Sequence, residues 1–288
     1  MSEHLAGVVA ILGRPNAGKS TLLNRILGEK LAIVTSKPQT TRSRILGIHT
    51  LASAQILFVD TPGLHAGGKA LNAALNEQAL AAADDCDVAL LLVDPGGGFG
   101  DDHRALLTRL VARGTPAVVA ATKADLAPPA TGWPVQDTVP VLRVSARTGE
   151  GVDALVAALV ARLPVSPPLY PADALSDRPL RWLAGEEVRE AAFEVLAQEL
   201  PYALAVEVVD FDESRPDLVR IRANLLVERD SQKAIVIGRG GDTIKRIGVR
   251  ARPAIEARVG ARVHLELWVK VEPRWARRAE RLRELGYA

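Results

Sequence analysis

Cysteine occurs once in 288 residues, at Cys86, so no internal disulfide can form. A small buried side chain is a commoner role for a lone cysteine than a catalytic thiol, and a reducing cytoplasm fits that usage. The five histidines are scattered without metal-ligand spacing, which argues against a structural metal site. No apolar run is long enough to span a bilayer. VALLLV, Val88 to Val93, suits a buried parallel strand. The first residues, MSEHLAGVVAILG, carry Glu3 and no basic leader, a poor match to a secretory signal. Aromatics make up only 4% of the chain, and net charge is only +2. That small net charge hides an asymmetry. Residues 181–228 hold 5 basic and 11 acidic side chains (−6), whereas residues 229–288 hold 15 basic and 7 acidic (+8). A basic C-terminal segment is an electrostatic footprint for a polyanion.

Strand-like and helix-like runs alternate through the first half. GVVAIL reads as a strand and Ser20–Leu27 as a helix. IHTLASAQILFVD supplies strand up to Asp60, and Leu71–Ala83 reads as a helix. VALLLVD, HRALLTRLVARG, PAVVAAT, VPVLRVSA and GVDALVAALVARL continue the series. The alternation predicts an α/β domain over residues 1–165, a mostly parallel sheet with helices on both faces. DPGGGFG, Asp94 to Gly100, lacks dinucleotide spacing and reads as a loop. Five prolines between Leu163 and Leu180 predict a stiff linker over residues 166–180. Beyond it, residues 181–288 read α-β-β-α-α-β, a smaller α+β architecture with a basic tail.

GRPNAGKST, Gly13 to Thr21, matches G-x-x-x-x-G-K-[ST] between a strand and a helix. Gly13, Asn16, Ala17, Gly18 and Thr21 shape a loop whose N–H groups wrap phosphates at a helix N-terminus. Lys19 reaches the β- and γ-phosphates, and Ser20 holds Mg²⁺. Base identity comes from downstream. In TKAD, Thr122-Lys123-Ala124-Asp125, the Asp125 carboxylate can accept both N1–H and N2–H of guanine. In SAR, Ser145-Ala146-Arg147, the N–H of Ala146 can donate to guanine O6. DTPGLH, Asp60 to His65, looks like a γ-phosphate sensor. Regulatory GTPases place a water-orienting glutamine after that glycine; Leu64 cannot hydrogen-bond.

VIGRGGDTIKRIG, Val236 to Gly248, joins two helices by G-x-x-G. Gly238-Arg239-Gly240-Gly241 looks like the RNA-binding loop of a KH domain, which clamps about four single-stranded nucleotides. Ile235, Ile237, Ile244 and Ile247 have helical spacing and suit the core beneath. Arg239, Lys245, Arg246 and Arg250 put positive charge along the phosphate path. The strand following both helices suits the type II KH variant. Trp182 and Trp268 read as core residues. Trp275, in EPRWARRAERL, reads as part of an exposed tail that stacks on a base or covers a domain interface.

With P-loop, DTPG, TKAD and SAR in order, the first half resembles the translation-factor-like GTPases. That resemblance implies that Thr41 of PQTTR, or alternatively Thr40, binds Mg²⁺, with Asp60 binding it through water and the Gly63 N–H contacting the γ-phosphate. One departure is Thr122, where the family has Asn. Threonine there can still bond to the phosphate loop but loses the amide's contact with the base. Over nearly its whole length the chain resembles the Era family of bacterial ribosome-assembly GTPases. PQTTRSRILGI, DTPGLH, SDRPLRWLAGEEVRE, VIGRGGDTIKRIG and LELWVKVEPRWA carry the match.

The resemblance implies a cytoplasmic, monomeric GTPase using GTP and Mg²⁺. It implies binding to the 3′ end of small-subunit rRNA during 30S assembly, and loose inner-membrane association. It also implies that Leu64 is no sign of a dead enzyme. Relatives with a hydrophobic residue there use a P-loop asparagine to bind K⁺, which places Asn16 either in catalysis or as a brace of the loop. The rival readings are a non-enzymatic, nucleotide-stabilised RNA chaperone and an ATP-using RNA enzyme, the latter disfavoured by Asp125.

Overall fold

The computed structural model describes residues 3–35, 45–61, 80–126, 139–197 and 200–286. They fall into two compact units, Met1–Asp177 and Arg178–Ala288. Among them, no helix is long and apolar enough to cross a membrane.

The first unit is built on a six-stranded sheet of order β2-β3-β1-β4-β5-β6. Its strands are β1 (Leu5–Gly13), β2 (Ile45–Thr50), β3 (Ala54–Asp60), β4 (Val88–Val93), β5 (Ala117–Ala121) and β6 (Val141–Arg143). IHTLASAQILFVD is therefore two strands. β2 runs antiparallel to β3, and every other neighbouring pair is parallel. The helices are α1 (Lys19–Leu27), α2 (Asp101–Ala112) and α3 (Val152–Val160), and residues 80–84 are also helical. The rest of the helix expected over Leu71–Ala83 lies outside the described residues. β1, β4 and β5 are apolar on both faces, as covered parallel strands must be. Ala10, Leu12, Ala89, Leu91 and Val119 pack under Leu106, Leu107 and Leu110 of α2. Ile11, Leu90, Leu92 and Val118, equally buried, alternate to the opposite face.

The proline-rich segment is not a free tether along its length. Buried Gln55 accepts from the N–H of Leu169 (2.8 Å) and of Tyr170 (2.9 Å), and donates to the Tyr170 carbonyl (2.9 Å). Ile48 N–H donates to the Leu175 carbonyl at 2.9 Å, and Ser176 Oγ to that of Leu46 at 2.6 Å. β2 is an edge strand whose open backbone needs a partner, and Leu175 and Ser176 supply one.

The second unit has a three-stranded sheet, β7 (Ala205–Arg215), β8 (Leu218–Val227) and β9 (Arg262–Val271), in that order. β8 pairs antiparallel with β7 and parallel with β9. α4 (Leu180–Val195), α5 (Asp230–Ile237) and α6 (Asp242–Val259) follow the expected α-β-β-α-α-β order, a type II KH fold, ending in a short α7 (Ala279–Glu284). α4 starts six residues ahead of the expected Glu186, directly after Pro179, which is its extended N-cap residue. The core gathers Val188, Ala192, Ile221, Leu225, Val236, Ile247 and Ile255.

Candidate nucleotide site and RNA interface

The phosphate loop begins where β1 runs out of room. Gly13 has φ +146°, and a Cβ there would sit 2.5 Å from the Leu92 carbonyl oxygen of β4. Asn16 (φ 62°) and Gly18 (φ 93°) then turn the chain into α1. Asparagine tolerates that left-handed geometry better than most side chains. α1 has no side-chain N-cap and no acidic residue in its first turn, so its leading N–H groups are left for an anion.

Lys19 is only 7% exposed. Its Nζ donates to the carbonyls of Gly13 (3.1 Å) and Arg14 (3.0 Å). Burial lowers its pKa to about 8, with the negative charge of Asp60 opposing the shift. Ser20 Oγ donates to Asp60 Oδ2 at 2.8 Å, bringing the predicted metal ligands of α1 and β3 together. A hydroxyl beside a buried carboxylate suits a hard cation that takes its other ligands from phosphate and water. Among the described residues no His, Cys, Asp and Glu cluster forms a metal site, and such a cation needs none. Thr40, Thr41, Gly63 and Leu64 lie outside the described residues.

A pocket of about 180 Å³ extends from Gly18 and Thr21 to Lys123, Asp125, Ala146 and Arg147. Phosphate loop, TKAD and SAR therefore share one cavity. Asp125 accepts from Ser145 Oγ at 2.7 Å and faces Arg147 Nε at 3.6 Å. The Ser145 hydrogen bond and the Arg147 charge hold its carboxyl below the usual range, a fixed anionic acceptor for paired N–H donors. Lys123 adopts φ 55°, and its Nζ pairs with Asp94 at 2.6 Å. Thr122 departs from expectation. Its hydroxyl donates to the Val93 carbonyl of β4 at 3.3 Å, not to the phosphate loop. The short side chain reaches only the neighbouring strand end.

In the second unit α5 ends at Ile237, and Gly238, Gly240 and Gly241 follow with φ of 75°, 59° and 84°. A Cβ on Gly238 would collide with Thr243, whereas Gly240 and Gly241 have open space beside them. The loop can bring bare backbone against a ligand. Arg239, Lys245 and Arg246 are exposed around it. Arg250 is not available in the same way, because its guanidinium bonds to Glu194.

Two further expectations are corrected. Ile247 is buried, Ile237 and Ile244 are half-buried, and Ile235 is 59% exposed, because Val236 takes the core position in α5. The tryptophans exchange roles. Trp268 is 65% exposed, since β9 turns its alternate residues away from the helices. Trp275 is 2% exposed, packed with Ala205, Leu226 and Leu285. Trp182 is half-buried beneath the guanidinium of Arg178, 4.9 Å from its ring centroid.

Sequence reasoning missed the charged groups that hold these loops. Arg14 forms a two-pronged bond to Asp102 at 2.6 and 2.8 Å, and Asp94 receives Lys123. It also missed a charged run inside α4, where Glu186, Glu187, Arg189 and Glu190 are all buried. Arg189 is forked to Glu186, and Arg258 of α6 is bonded to Glu187. The sequence signal was a density of charge within SDRPLRWLAGEEVRE, which by itself resembles a solvated face.

Residues 8–123 match the family described as "50S ribosome-binding GTPase", and residues 199–276 match "KH domain". The chain is 42% identical to GTPase Era of Lacticaseibacillus paracasei, over 100% of this chain and 98% of that protein. It is 44% identical to GTPase Era of Pseudomonas entomophila, over 98% and 96%. A crystal structure of a point variant of Aquifex aeolicus Era bound to GDP·AlF4⁻ superposes with a TM-score of 0.89, at 36% identity and 99% coverage of both chains. A second Era structure, in complex with MgGDPNP and nucleotides 1506–1542 of 16S ribosomal RNA, gives the same TM-score, identity and coverage.

Proposed function

The chain belongs to the GTPase Era family, and from that premise we propose that it is a GTP-driven switch acting on the 3′ end of small-subunit rRNA during 30S assembly. The observation that carries this reading is one pocket shared by the phosphate loop, Asp125 and Ala146 in a chain that also holds a glycine-built KH loop. The Era complex with MgGDPNP and a 16S rRNA segment supports both halves.

GTP enters with its phosphates on the N-terminus of α1 and its base against Asp125. Lys19 exchanges the Gly13 and Arg14 carbonyls for phosphate oxygens, and the phosphate charge keeps it protonated. The Ser20–Asp60 pair would hold Mg²⁺, and that ion would supply positive charge against the phosphates. Ser20, Asp60 and Thr41, or alternatively Thr40, would hold the ion. The Gly63 N–H would contact the γ-phosphate, and the bound nucleotide biases RNA binding at Gly238–Gly241. The side chain of leucine at position 64 has no hydrogen-bonding group, so backbone and switch groups orient water. Hydrolysis is slow, and Asn16 would help hold K⁺, which would supply positive charge beside the phosphates. The protein acts in the cytoplasm, with loose inner-membrane association.

The test is phosphate release with GTP in K⁺ and in Na⁺, with ATP as competitor. GTP turnover that ATP does not inhibit supports the reading; competition by ATP sinks it. Asn16→Gly keeps the left-handed backbone while removing the amide. It should abolish any preference for K⁺, and an unchanged preference reduces Asn16 to a brace.

A further inference from the structure

The glycine-rich stretch DPGGGFG, Asp94 to Gly100, is unexplained by dinucleotide binding, and the structure gives it a different occupation. It lies between the loop that meets the base and the loop that meets the phosphates, and touches both through charged groups. From the base side, Lys123 Nζ pairs with Asp94 Oδ2 at 2.6 Å. Asp94 Oδ1 accepts from the Gly96 N–H at 3.0 Å and caps the short turn Pro95–Gly97. From the phosphate side, Arg14 Nη1 donates to the Gly97 carbonyl at 3.3 Å, while its other nitrogens fork onto Asp102 of α2. Gly100 is shaped for this arrangement: a Cβ there would meet Arg14 Nη2 at 2.3 Å. Thr122, meanwhile, spends both its N–H and its hydroxyl on the Val93 carbonyl, and among the described residues it makes no hydrogen bond to the phosphate loop.

We propose that Asp94 and Arg14 are positioning residues: with Asp102, and through the Pro95–Gly97 turn, they tie the base-recognition loop to the phosphate loop, so that a guanine nucleotide is held as one unit. The side chains of Arg14, Asp102, Lys123 and Asp94 are 39%, 33%, 36% and 32% exposed, a setting in which ion pairs add little to stability. Their shared path between two ligand-binding loops gives them a different use. Both Lys123 and Asn16 sit at positive φ, so each loop has a backbone turn that needs holding in place.

This inference rests on guanine-nucleotide binding at the site, and the experiment separates the two. Affinities of the full-length protein for GDP and IDP, which lacks the exocyclic amine, are measured by displacement of a fluorescent GDP. The variants are Asp94→Asn, Asp102→Asn and the double, with nucleotide-free melting temperatures checking the fold; Arg14→Lys replaces Asp102→Asn if that variant misfolds. Asp94→Asn should weaken GDP about tenfold, the cost of a charge-assisted hydrogen bond, and narrow the GDP-over-IDP preference. Asp102→Asn should weaken both nucleotides alike. The double variant should lose clearly less than the product of the two single losses. Independent sites multiply, so a loss equal to that product overturns the tie, as does an unchanged GDP-to-IDP ratio in Asp94→Asn. A wild-type protein with no preference for GDP over IDP would instead overturn the guanine reading on which the tie stands.

Discussion

The nucleotide pocket and the KH loop meet phosphate in opposite ways. In the pocket, the acting side chains are buried or held before any ligand arrives: Lys19 on two carbonyls, Ser20 on Asp60, Asp125 on Ser145. At the KH loop, three glycines at positive φ carry the backbone, and Arg239, Lys245 and Arg246 stand exposed, forming no ion pair among the described residues. A nucleotide is small and of fixed shape, so pre-organisation lowers the cost of binding it. A single strand of RNA is a flexible polyanion. For it, close backbone approach and mobile cations suffice, with affinity that depends on salt.

The largest expected break of this contrast is Lys19→Ala. It should weaken GDP about 10³-fold, by analogy with the loss of a preorganised donor to a charged group, and leave RNA affinity in the nucleotide-free protein unchanged; equilibrium titrations of both ligands check this. The same lysine gives the pocket a pH dependence that the KH loop should lack. Its pKa is depressed to about 8 in the empty site, while bound phosphate favours the charged form. Below that value the charge is already present. Above it binding must take up a proton, so GDP affinity should fall, approaching about tenfold per pH unit, while RNA affinity stays flat until ordinary surface lysines titrate.

Asp125→Asn comes next. Losing the anionic acceptor for two N–H donors should cost GDP about 10²–10³-fold and shift preference toward xanthine nucleotides, read by competition. At the KH loop, Gly240→Asp with Gly241→Asp strains two left-handed positions and adds negative charge. RNA affinity should fall about 10–100-fold with GTP turnover intact. The smallest effect is expected from Trp268→Ala, which should change the unfolding free energy by less than about 0.5 kcal/mol, because the ring is 65% exposed. A loss like that of a buried tryptophan would show that its face of the sheet is covered.

How legible these features were in the sequence depended on how local their cause was. β1, β4 and β5 announced themselves because a strand covered on both faces is a continuous apolar run. Gly13–Thr21 and Gly238–Gly241 did so because close backbone approach demands glycine at fixed spacing. The exchange of Trp268 and Trp275 was hidden. The first depends on which face of β9 the helices cover. The second depends on α7 returning over Ala205 and Leu226. Gln55 as a clamp for residues 169–170, and Arg14 with Asp102, join positions about a third of the chain apart, and no local pattern marks such pairs. Thr122 was visible as a departure, but its partner Val93 was set by the strand ends and not by the motif.

The proposed switch requires that nucleotide state and RNA binding be coupled. The direct measurement is the affinity of the full chain for a short single strand matching the 3′ end of small-subunit rRNA, against a scrambled strand, with a non-hydrolysable GTP analogue and with GDP, at fixed K⁺ and fixed salt. Tighter, sequence-selective binding is expected with the GTP analogue. Equal affinity in the two nucleotide states, or no preference over the scramble, would contradict it and leave a GTPase and an RNA clamp that merely share a chain.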